Sequence, residues 1–258
     1  QQRGIPKKEA KAMLLYAFAS DALRHVQIPQ ISNRVNSIIA KKLGFKGHHT
    51  VVIPGGGGFH LEQLLPYSQP LSERKIILIK GYHHNVGRGL VLVKAVQSIQ
   101  ESIQKLGFKV VVFGAHPIVI DYIKENKLPY EVFDRHGLAH HDLLQLIGKS
   151  AVYLGNSISD GMPNTLLEAI IMGAFPIQSN PGNVTAEIIT EGENGFLIEN
   201  PNDDNAISNL IIKVLQQPEW LQKAFEINQK IAKERLDYVV NQQKIVALYH
   251  QIENDTCE

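Results

Sequence analysis

From residue 75 onward, short apolar runs alternate with longer segments whose apolar residues recur at helical spacing. A short run of consecutive apolar residues is typical of a strand buried on both faces of a parallel sheet. Strands that alternate with amphipathic helices indicate right-handed βαβ crossovers. The pattern predicts an α/β fold: a Rossmann-like parallel sheet with helices on both faces. The predicted strands are 76–79, 109–113, 130–133, 152–154 and 175–178, and the predicted helices are 89–106, 118–126, 141–149 and one that begins at Pro163 or Asn164.

The two ends of the chain are predicted to be helical. Two segments of helical spacing within residues 1–48 cannot bury a core by themselves, so we expect them to be the remnant of a preceding domain with its linker. Residues 49–240 form the predicted Rossmann-like domain, and residues 241–258 form a C-terminal helix and tail. The chain after residue 205 is helical, with a break near Pro218. Because the chain does not begin with methionine, we expect a fragment or a processed product.

A run of four glycines, Gly55 to Gly58, follows a predicted short strand at 50–54. Successive glycine N–H groups could cradle a phosphate, and the run could equally be a flexible linker. It matches neither a Walker nor a dinucleotide-binding fingerprint, which favours the linker or hinge.

Composition narrows the classes of protein that this chain can be. It has 258 residues, of which 44% are hydrophobic and 20% charged, as expected for a soluble globular protein. A net charge of +1 predicts no general attraction to nucleic acid. The single cysteine, Cys257, excludes an intrachain disulfide and a cysteine metal cluster. No apolar run could span a bilayer and no signal peptide is visible, so we expect a cytoplasmic protein.

The stretch 157–177 is predicted to fold as a loop, a helix and a buried strand. The residue before Pro163 is pushed towards an extended conformation, and Pro163 or Asn164 suits the start of a helix. Gly173 ends the helix. The residues of one apolar face are Leu166, Leu167, Ile170 and Ile171.

The start of this helix is a candidate site for a phosphorylated ligand. The backbone N–H groups from Asn164 to Leu166 have no partner within the helix and lie at the positive end of its dipole. Gly161 would let a ligand approach the backbone closely. Glu168 lies one turn further and could accept hydrogen bonds from a pair of sugar hydroxyls. Each feature alone could be ordinary helix capping or a solvated carboxylate, but together they fit the order of groups in a nucleotide sugar.

A longer combination carries a family resemblance. Asp160-Gly-Met-Pro-Asn-Thr-Leu-Leu-Glu168-Ala, followed by Gly173-Ala-Phe-Pro-Ile177, Glu187 and Gly195-Phe-Leu-Ile198, resembles the donor-site signature of family 4 retaining glycosyltransferases with the GT-B fold. In that family two glutamates are separated by seven residues, as Asp160 and Glu168 are here. The second contacts the nucleotide ribose and the first lies near the transferred sugar.

The resemblance implies a role for each matching residue. Glu168 would hold the ribose. Asp160 would act at the sugar as a catalytic residue, although it is one methylene shorter than the family's glutamate. The residues between them that would also bind the donor are Gly161, Met162, Pro163, Asn164 and Thr165.

The loop from Lys80 to Gly89 is the second candidate part of the site. An arginine such as Arg88 can clamp a diphosphate through two N–H groups, although it could also be a solvated residue at a helix start. The resembled family carries a basic pair here, and Arg88 matches its second member as a catalytic residue. At the first position the chain has Tyr82-His83, for which His84 or Lys80 could substitute. The resemblance also places Gly81 and Tyr82 at the donor.

Two further loops match the family more loosely. Residues 133–138 resemble the loop that holds the nucleotide base, where Arg135 and His136 are donor-binding candidates. Residues 180–187 resemble the loop near the diphosphate. Its Glu187 could equally be a helix-start residue.

Three histidine pairs invite a metal site, which we do not expect. Adjacent histidines in an extended stretch point to opposite faces, and no cysteine or histidine one turn away completes a ligand set. The chain also lacks an Asp-x-Asp motif, by which metal-dependent GT-A glycosyltransferases are usually recognised. The pairs are His48-His49, His83-His84 and His140-His141.

The resemblance implies a metal-independent hexosyltransferase that needs no cofactor. It would move a hexose from a nucleoside diphosphate sugar to a glycan or lipid-linked acceptor with retention, in bacterial capsule- or lipopolysaccharide-type biosynthesis. The acceptor-side domain would be the one missing before residue 49, and peripheral membrane association would go through it. A non-catalytic nucleotide-sugar-binding accessory protein and a GT-B-like sugar-nucleotide epimerase are the alternatives.

Overall fold

The structure is a computed structural model, and it describes residues 57–255. The two helices predicted within residues 1–48, the strand at 50–54 and the first two glycines of the four-glycine run lie outside the described residues. The domain boundaries at residues 48 and 240 remain predictions.

Parallel strands and helices alternate as the apolar pattern predicts. The strands are β1 (Ile76–Lys80), β2 (Lys109–Ala115), β3 (Glu131–Asp134), β4 (Ser150–Gly155), β5 (Phe175–Ser179) and β6 (Phe196–Ile198). The helices are α1 (Leu61–Leu64), α2 (Gly89–Ser98), α3 (Gln100–Lys105), α4 (Pro117–Glu125), α5 (His140–Gly148), α6 (Asn164–Met172), α7 (Asp204–Leu215), α8 (Pro218–Ile231) and α9 (Tyr238–Asp255).

The six strands form one parallel sheet in the order β3-β2-β1-β4-β5-β6. The chain therefore starts in the middle at β1, moves outward to β3, and returns to β4 on the other side of β1. This order is that of a Rossmann-like sheet and confirms the predicted fold class. Ligands of such sheets bind beyond the carboxyl ends of the strands, where the order reverses. That point lies here between β1 and β4.

Two predicted helices differ in detail from the observed ones. The helix predicted over 89–106 is broken at Ile99, which leaves helical geometry (φ −116°, ψ 17°) between α2 and α3. Ile99 at this break and Ile103 in α3 are both buried in the core. The predicted C-terminal helical region contains the expected break, because α7 ends before Pro218 and α8 starts there. A π-helical turn, Ala232–Leu236, then separates α8 from α9.

Side chains on the two faces of the sheet enter two apolar layers. One layer packs β1, β2 and β4 against α2, α4 and α7, and includes Ile77, Val112 and Leu154. The other packs the opposite face against α5 and α6. Helix α6 is buried all round, from Leu166 to Met172, since α8 and the π-helical turn cover its outer side. The four residues of the predicted apolar face are fully buried, and the opposite side of the helix, which the sequence did not predict to be covered, is buried as well.

No helix among the described residues has both the length and the apolar character needed to cross a bilayer.

Candidate functional site

The loops after β1 and β4 meet where the strand order reverses. The N–H of Arg88 donates to the carbonyl of Asn156 at 3.0 Å, and the N–H of Ile158 donates to the carbonyl of Val86 at 2.9 Å. These two bonds fix the predicted anion-binding loops against each other. The structure thus brings together the two stretches that the sequence identified separately.

Helix α6 begins without a side-chain cap. The residue before it, Pro163, is extended (φ −69°, ψ 130°), and its carbonyl accepts from the N–H of Leu166 at 3.1 Å. The prediction that Leu166 offers a free N–H was therefore wrong. The N–H groups of Asn164 and Thr165 donate to no acceptor among the described residues. Two amides at the positive end of the helix dipole remain open to an anion.

Glu168 is buried, with 4% of its surface exposed, so it is not the solvated carboxylate that the sequence left as an alternative. Glu168 is buried by tertiary packing, because the elements around α6 cover this position. The Nε2–H of His140 donates to Oε1 of Glu168 at 2.8 Å, while Oε2 is buried without a partner among the described residues. Burial raises the pKa of Glu168, and the hydrogen bond and charge of His140 oppose that rise.

A buried tyrosine of β4 contacts the first turn of α6. The hydroxyl of Tyr153, in the middle of β4, lies 3.0 Å from Oγ1 of Thr165. Tyr153 is fully buried, and burial raises the pKa of its hydroxyl above the ordinary value. The sequence gave no sign of this contact, because strand and helix positions pair only once the sheet is formed.

Asp160 lies in the exposed part of the loop after β4. Its Oδ2 is 3.9 Å from Nζ of Lys80, the last residue of β1. Gly161, next to it, has no atom within 4 Å of the place where a Cβ would stand. The protein itself therefore does not require glycine there, whereas a ligand that approaches the backbone would.

Arg88 holds its own loop together. Its Nε donates to Oδ1 of Asn202 at 2.9 Å, and its Nη1 donates to the carbonyls of Asn85 at 3.2 Å and Gly87 at 2.9 Å. Only Nη2 makes no hydrogen bond to a described residue. The same loop needs Gly81 for packing, since a Cβ there would lie 2.6 Å from Cγ1 of Val112.

The remaining predicted residues differ in exposure. Tyr82 is 36% exposed, and Arg135 and His136 are exposed in the turn after β3. The N–H of His136 donates to Oδ1 of Asp134 at 2.8 Å, which closes that turn. Pro163 is buried and Met162 is half-buried against the α5–α6 layer. Their roles at a donor remain predictions.

A cleft of about 560 Å³ opens beyond the carboxyl ends of β4, β5 and β6. It adjoins the predicted site, since Ser157 and Ile158 line it, but Asp160, Glu168 and Arg88 do not. Two carboxylates, Glu191 and Glu199, also line it. Burial raises the pKa of Glu191, and the N–H of Leu197 donates to its Oε2 at 2.6 Å.

Within residues 57–255, no three histidine, cysteine or acidic side chains are placed to hold a metal ion.

Comparison with known proteins bears on this site. The family described as "Glycosyl transferases group 1" matches residues 68–234, more than half of the chain. A comparison with curated proteins found no match.

Solved structures share the fold. The Anabaena protein HepE, crystallised in complex with UDP, superposes with a TM-score of 0.62 at 16% identity, over 87% of this chain and 69% of HepE. The pneumococcal O-GlcNAc transferase GtfA, in complex with UDP and GlcNAc, gives 0.63 at 20% identity over 84% of this chain and 44% of GtfA. The C-terminal domain of LpcC from Francisella tularensis gives 0.55 at 17% identity over 70% of this chain and 96% of that domain. The described sheet is that of a GT-B C-terminal domain.

Proposed function

The chain belongs to the glycosyl transferases of group 1, and we propose that it binds a nucleoside diphosphate sugar and donates the hexose with retention. HepE and GtfA were each crystallised with UDP, which supports a donor of this class. The chain spans less than half of GtfA, so the acceptor side of the reaction belongs to this proposal as well.

The observation that carries the proposal is the free oxygen of Glu168. Buried polar atoms in proteins almost always have a hydrogen-bond partner. Oε2 of Glu168 has none among the described residues, while Oε1 is held by His140. A ribose presents two adjacent hydroxyls, and one of them would donate to Oε2. In this proposal His140 orients the carboxylate through Oε1, and a ribose hydroxyl would supply the partner that the buried Oε2 lacks.

The diphosphate would lie at the start of α6. The open N–H groups of Asn164 and Thr165 and the helix dipole would stabilise negative charge as it develops on the leaving group. Asp160 lies on the same loop, further from Glu168, and would orient the transferred hexose. The proposed mechanism uses no cofactor and no metal ion, because fixed backbone N–H groups would stabilise the negative charge of the leaving group.

The acceptor would be a glycan or a lipid-linked sugar of a bacterial capsule or lipopolysaccharide type. Transfer requires that it be held against the donor in a closed cleft, which limits the reaction to a protein with both sides present. The cleft beside Ser157 lies two to three residues before Asp160 along the loop, so it would face the hexose.

A thermal-shift screen with UDP, GDP and ADP and their sugars tests the proposal. A ligand that binds only the native state raises the midpoint, and we expect one of the nucleotides to do so. The Glu168→Gln variant should show a smaller shift with the same nucleotide. No shift with any of the three nucleotides would refute donor binding.

Donor turnover then separates the reactions. Sugar transfer in the protein that carries the acceptor-side domain supports the glycosyltransferase. Binding without turnover would indicate an accessory protein, and conversion of the donor sugar without an acceptor would indicate an epimerase.

A further inference from the structure

Three histidine rings lie together beyond the carboxyl ends of β1 and β2. His83 and His84 belong to the loop after β1, and His116 is the residue before α4. The ring centroid of His116 is 6.4 Å from that of His83 and 6.0 Å from that of His84. His116 stands far from the other two in sequence, and only the parallel pairing of β1 with β2 brings it to them.

Backbone hydrogen bonds fix the tautomer of two of these rings. Nδ1 of His83 accepts from the N–H of Leu90 at 3.4 Å, near the start of α2. Nδ1 of His116 accepts from the N–H of Ile118 at 3.3 Å and caps α4. A neutral imidazole whose Nδ1 accepts carries its hydrogen on Nε2. Neither Nε2 has a hydrogen-bond partner among the described residues, so each ring offers a free N–H donor.

The surroundings of His83 are cationic. Burial is the largest cause that lowers the pKa of His83, and the cations Arg88 and Lys94 act in the same direction. No carboxylate among the described residues contributes to this shift. His83 is therefore neutral at pH 7 in a region of positive potential.

This combination suits an anion and not a metal ion. A metal would need the lone pair of Nε2, but Nε2 carries the hydrogen when Nδ1 accepts. An anion, in contrast, gains from outward N–H donors and from positive potential.

Most donors of the two cationic side chains at this loop already contact other groups of the protein. Three of the hydrogen bonds of Arg88 go to Asn202 and to carbonyls of its own loop, and Lys80 lies 3.9 Å from Asp160. These two cations are therefore partly engaged, and Nη2 is the part of Arg88 that makes no hydrogen bond to a described residue.

We propose that His83 and His116 donate their Nε2–H groups to a phosphate of the nucleoside diphosphate, as neutral hydrogen-bond donors. This inference rests on the proposed function and names the residues that recognise its phosphates.

Imidazole ¹⁵N NMR on the 258-residue chain at pH 7.5 tests the inference directly. In the free protein, His83 and His116 should show neutral rings with the hydrogen on Nε2. UDP and pyrophosphate should shift both Nε2 signals, whereas uridine, which has no phosphate, should leave them unchanged. Shifts with uridine would place the base at these rings, and shifts with pyrophosphate but not UDP would separate the anion site from the nucleotide. Either result overturns the proposal.

A substitution that preserves the helix cap provides the second test. Asn is a favoured N-cap residue, so His116→Asn keeps an acceptor for Ile118 while it removes the Nε2–H. We expect its affinity for UDP to fall about fivefold, as for the loss of one hydrogen bond, at an unchanged melting midpoint. The matched control is His141→Gln, an exposed histidine paired with Asp142, which should bind UDP as the wild type does.

The outcomes separate this inference from the proposed function. UDP that binds with unchanged imidazole signals, or with equal affinity in His116→Asn and His141→Gln, overturns the role of the histidines and leaves donor binding standing. A chain that binds none of UDP, GDP and ADP overturns both.

Discussion

Nε2 of His140 lies 2.8 Å from Oε1 of Glu168 and so joins the first residue of α5 to the middle of α6. The two partners differ sharply in exposure: 66% of the His140 side chain is open to solvent, against 6% of the Glu168 side chain. The histidine thus holds a buried carboxylate from the solvent side. The other oxygen of Glu168 is buried without a hydrogen-bond partner among the described residues, which is unfavourable for the ionised carboxylate in the free protein.

Glu168→Gln should therefore stabilise the fold while it weakens nucleotide binding. The raised pKa of Glu168 means that the native state holds the proton more tightly than the unfolded chain, so ionisation at neutral pH costs stability. Glutamine removes that cost and can still accept from His140. We expect a higher melting midpoint and an affinity for UDP lower by about tenfold, since hydrogen bonds to charged groups contribute about 1.5–3 kcal/mol. Calorimetry and thermal unfolding measure the two effects.

The control for this variant is Glu125→Gln at the exposed end of α4, which should change neither quantity. An unchanged affinity for UDP in Glu168→Gln would remove Glu168 from the ribose.

His140→Ala should raise the pKa of Glu168 further. The hydrogen bond and the charge of His140 both lower that pKa, so their loss leaves burial unopposed. The stability cost of ionisation is absent below the unfolded pKa of a glutamate and grows as the pH rises through the folded pKa. In the variant this window extends to higher pH, and stability relative to the wild type should fall between mildly acidic and neutral pH.

A ¹³C NMR titration of the Glu168 carboxyl and urea unfolding across that pH range check this prediction. His141→Ala is the matched control, because His141 is the neighbouring exposed histidine and pairs with Asp142 at 2.9 Å instead. The same carboxyl titration in both variants would show that His140 does not act on Glu168.

The strands were the most predictable part of this fold. A strand buried on both faces of a parallel sheet must be apolar at every position, and such runs stand out in the sequence. Each strand predicted within the described residues starts within two residues of the observed one, from Ile76 in β1 to Phe175 in β5, whereas the short strand β6 was not predicted. The end of α6 at Gly173 was equally predictable, because the residue there must adopt a left-handed backbone conformation (φ 79°), which glycine favours.

Burial of polar groups was not predictable from local sequence. Arg74 is 2% exposed, with Nε bonded to the carbonyl of Gln69 at 2.8 Å, and burial lowers its pKa to about 10. Nothing in the residues around Arg74 or Glu168 indicates burial, since distant elements cover them. The approach of His116 to His83 depends in the same way on strand pairing. Contacts of this kind arise only from the assembled layers.

Gly173→Ala should destabilise the fold by about 2–4 kcal/mol, for two separable reasons. The left-handed backbone at Gly173 disfavours any Cβ, and a Cβ there would also collide with the ring of Phe225. Displacement of that ring would also disturb its contact with the guanidinium of Arg74, which lies 5.6 Å from its centroid. Urea unfolding measures the loss.

The Gly182→Ala variant separates the cost of the left-handed backbone from the cost of the collision with Phe225. Gly182 has a similar backbone (φ 62°), but the nearest atom to its Cβ, Cγ2 of Val184, would be 4.0 Å away. We expect it to cost only the backbone part, about 1–2 kcal/mol. Equal losses in the two variants would show that the Phe225 contact contributes nothing.

Substitutions of Asp160 test whether this residue orients the transferred hexose. It is exposed, its carboxylate is 3.9 Å from Nζ of Lys80, and it occupies the position where the resembled family has a longer glutamate. If Asp160 orients the hexose, Asp160→Asn should lower the transfer rate at least tenfold. The affinity for UDP should barely change, because UDP lacks the hexose. Asp160→Glu should retain or raise the rate by restoring the longer reach.

Both variants are to be measured in the protein that includes the acceptor-side domain, by donor turnover and by calorimetry with UDP. Turnover and UDP affinity together distinguish whether Asp160 acts at the hexose or at the phosphates. A loss of turnover alone puts it at the hexose, because interactions made only with the transferred group leave the binding of the diphosphate product intact. Equal losses of turnover and UDP affinity would instead put Asp160 at the phosphates, where its charge would act through Lys80.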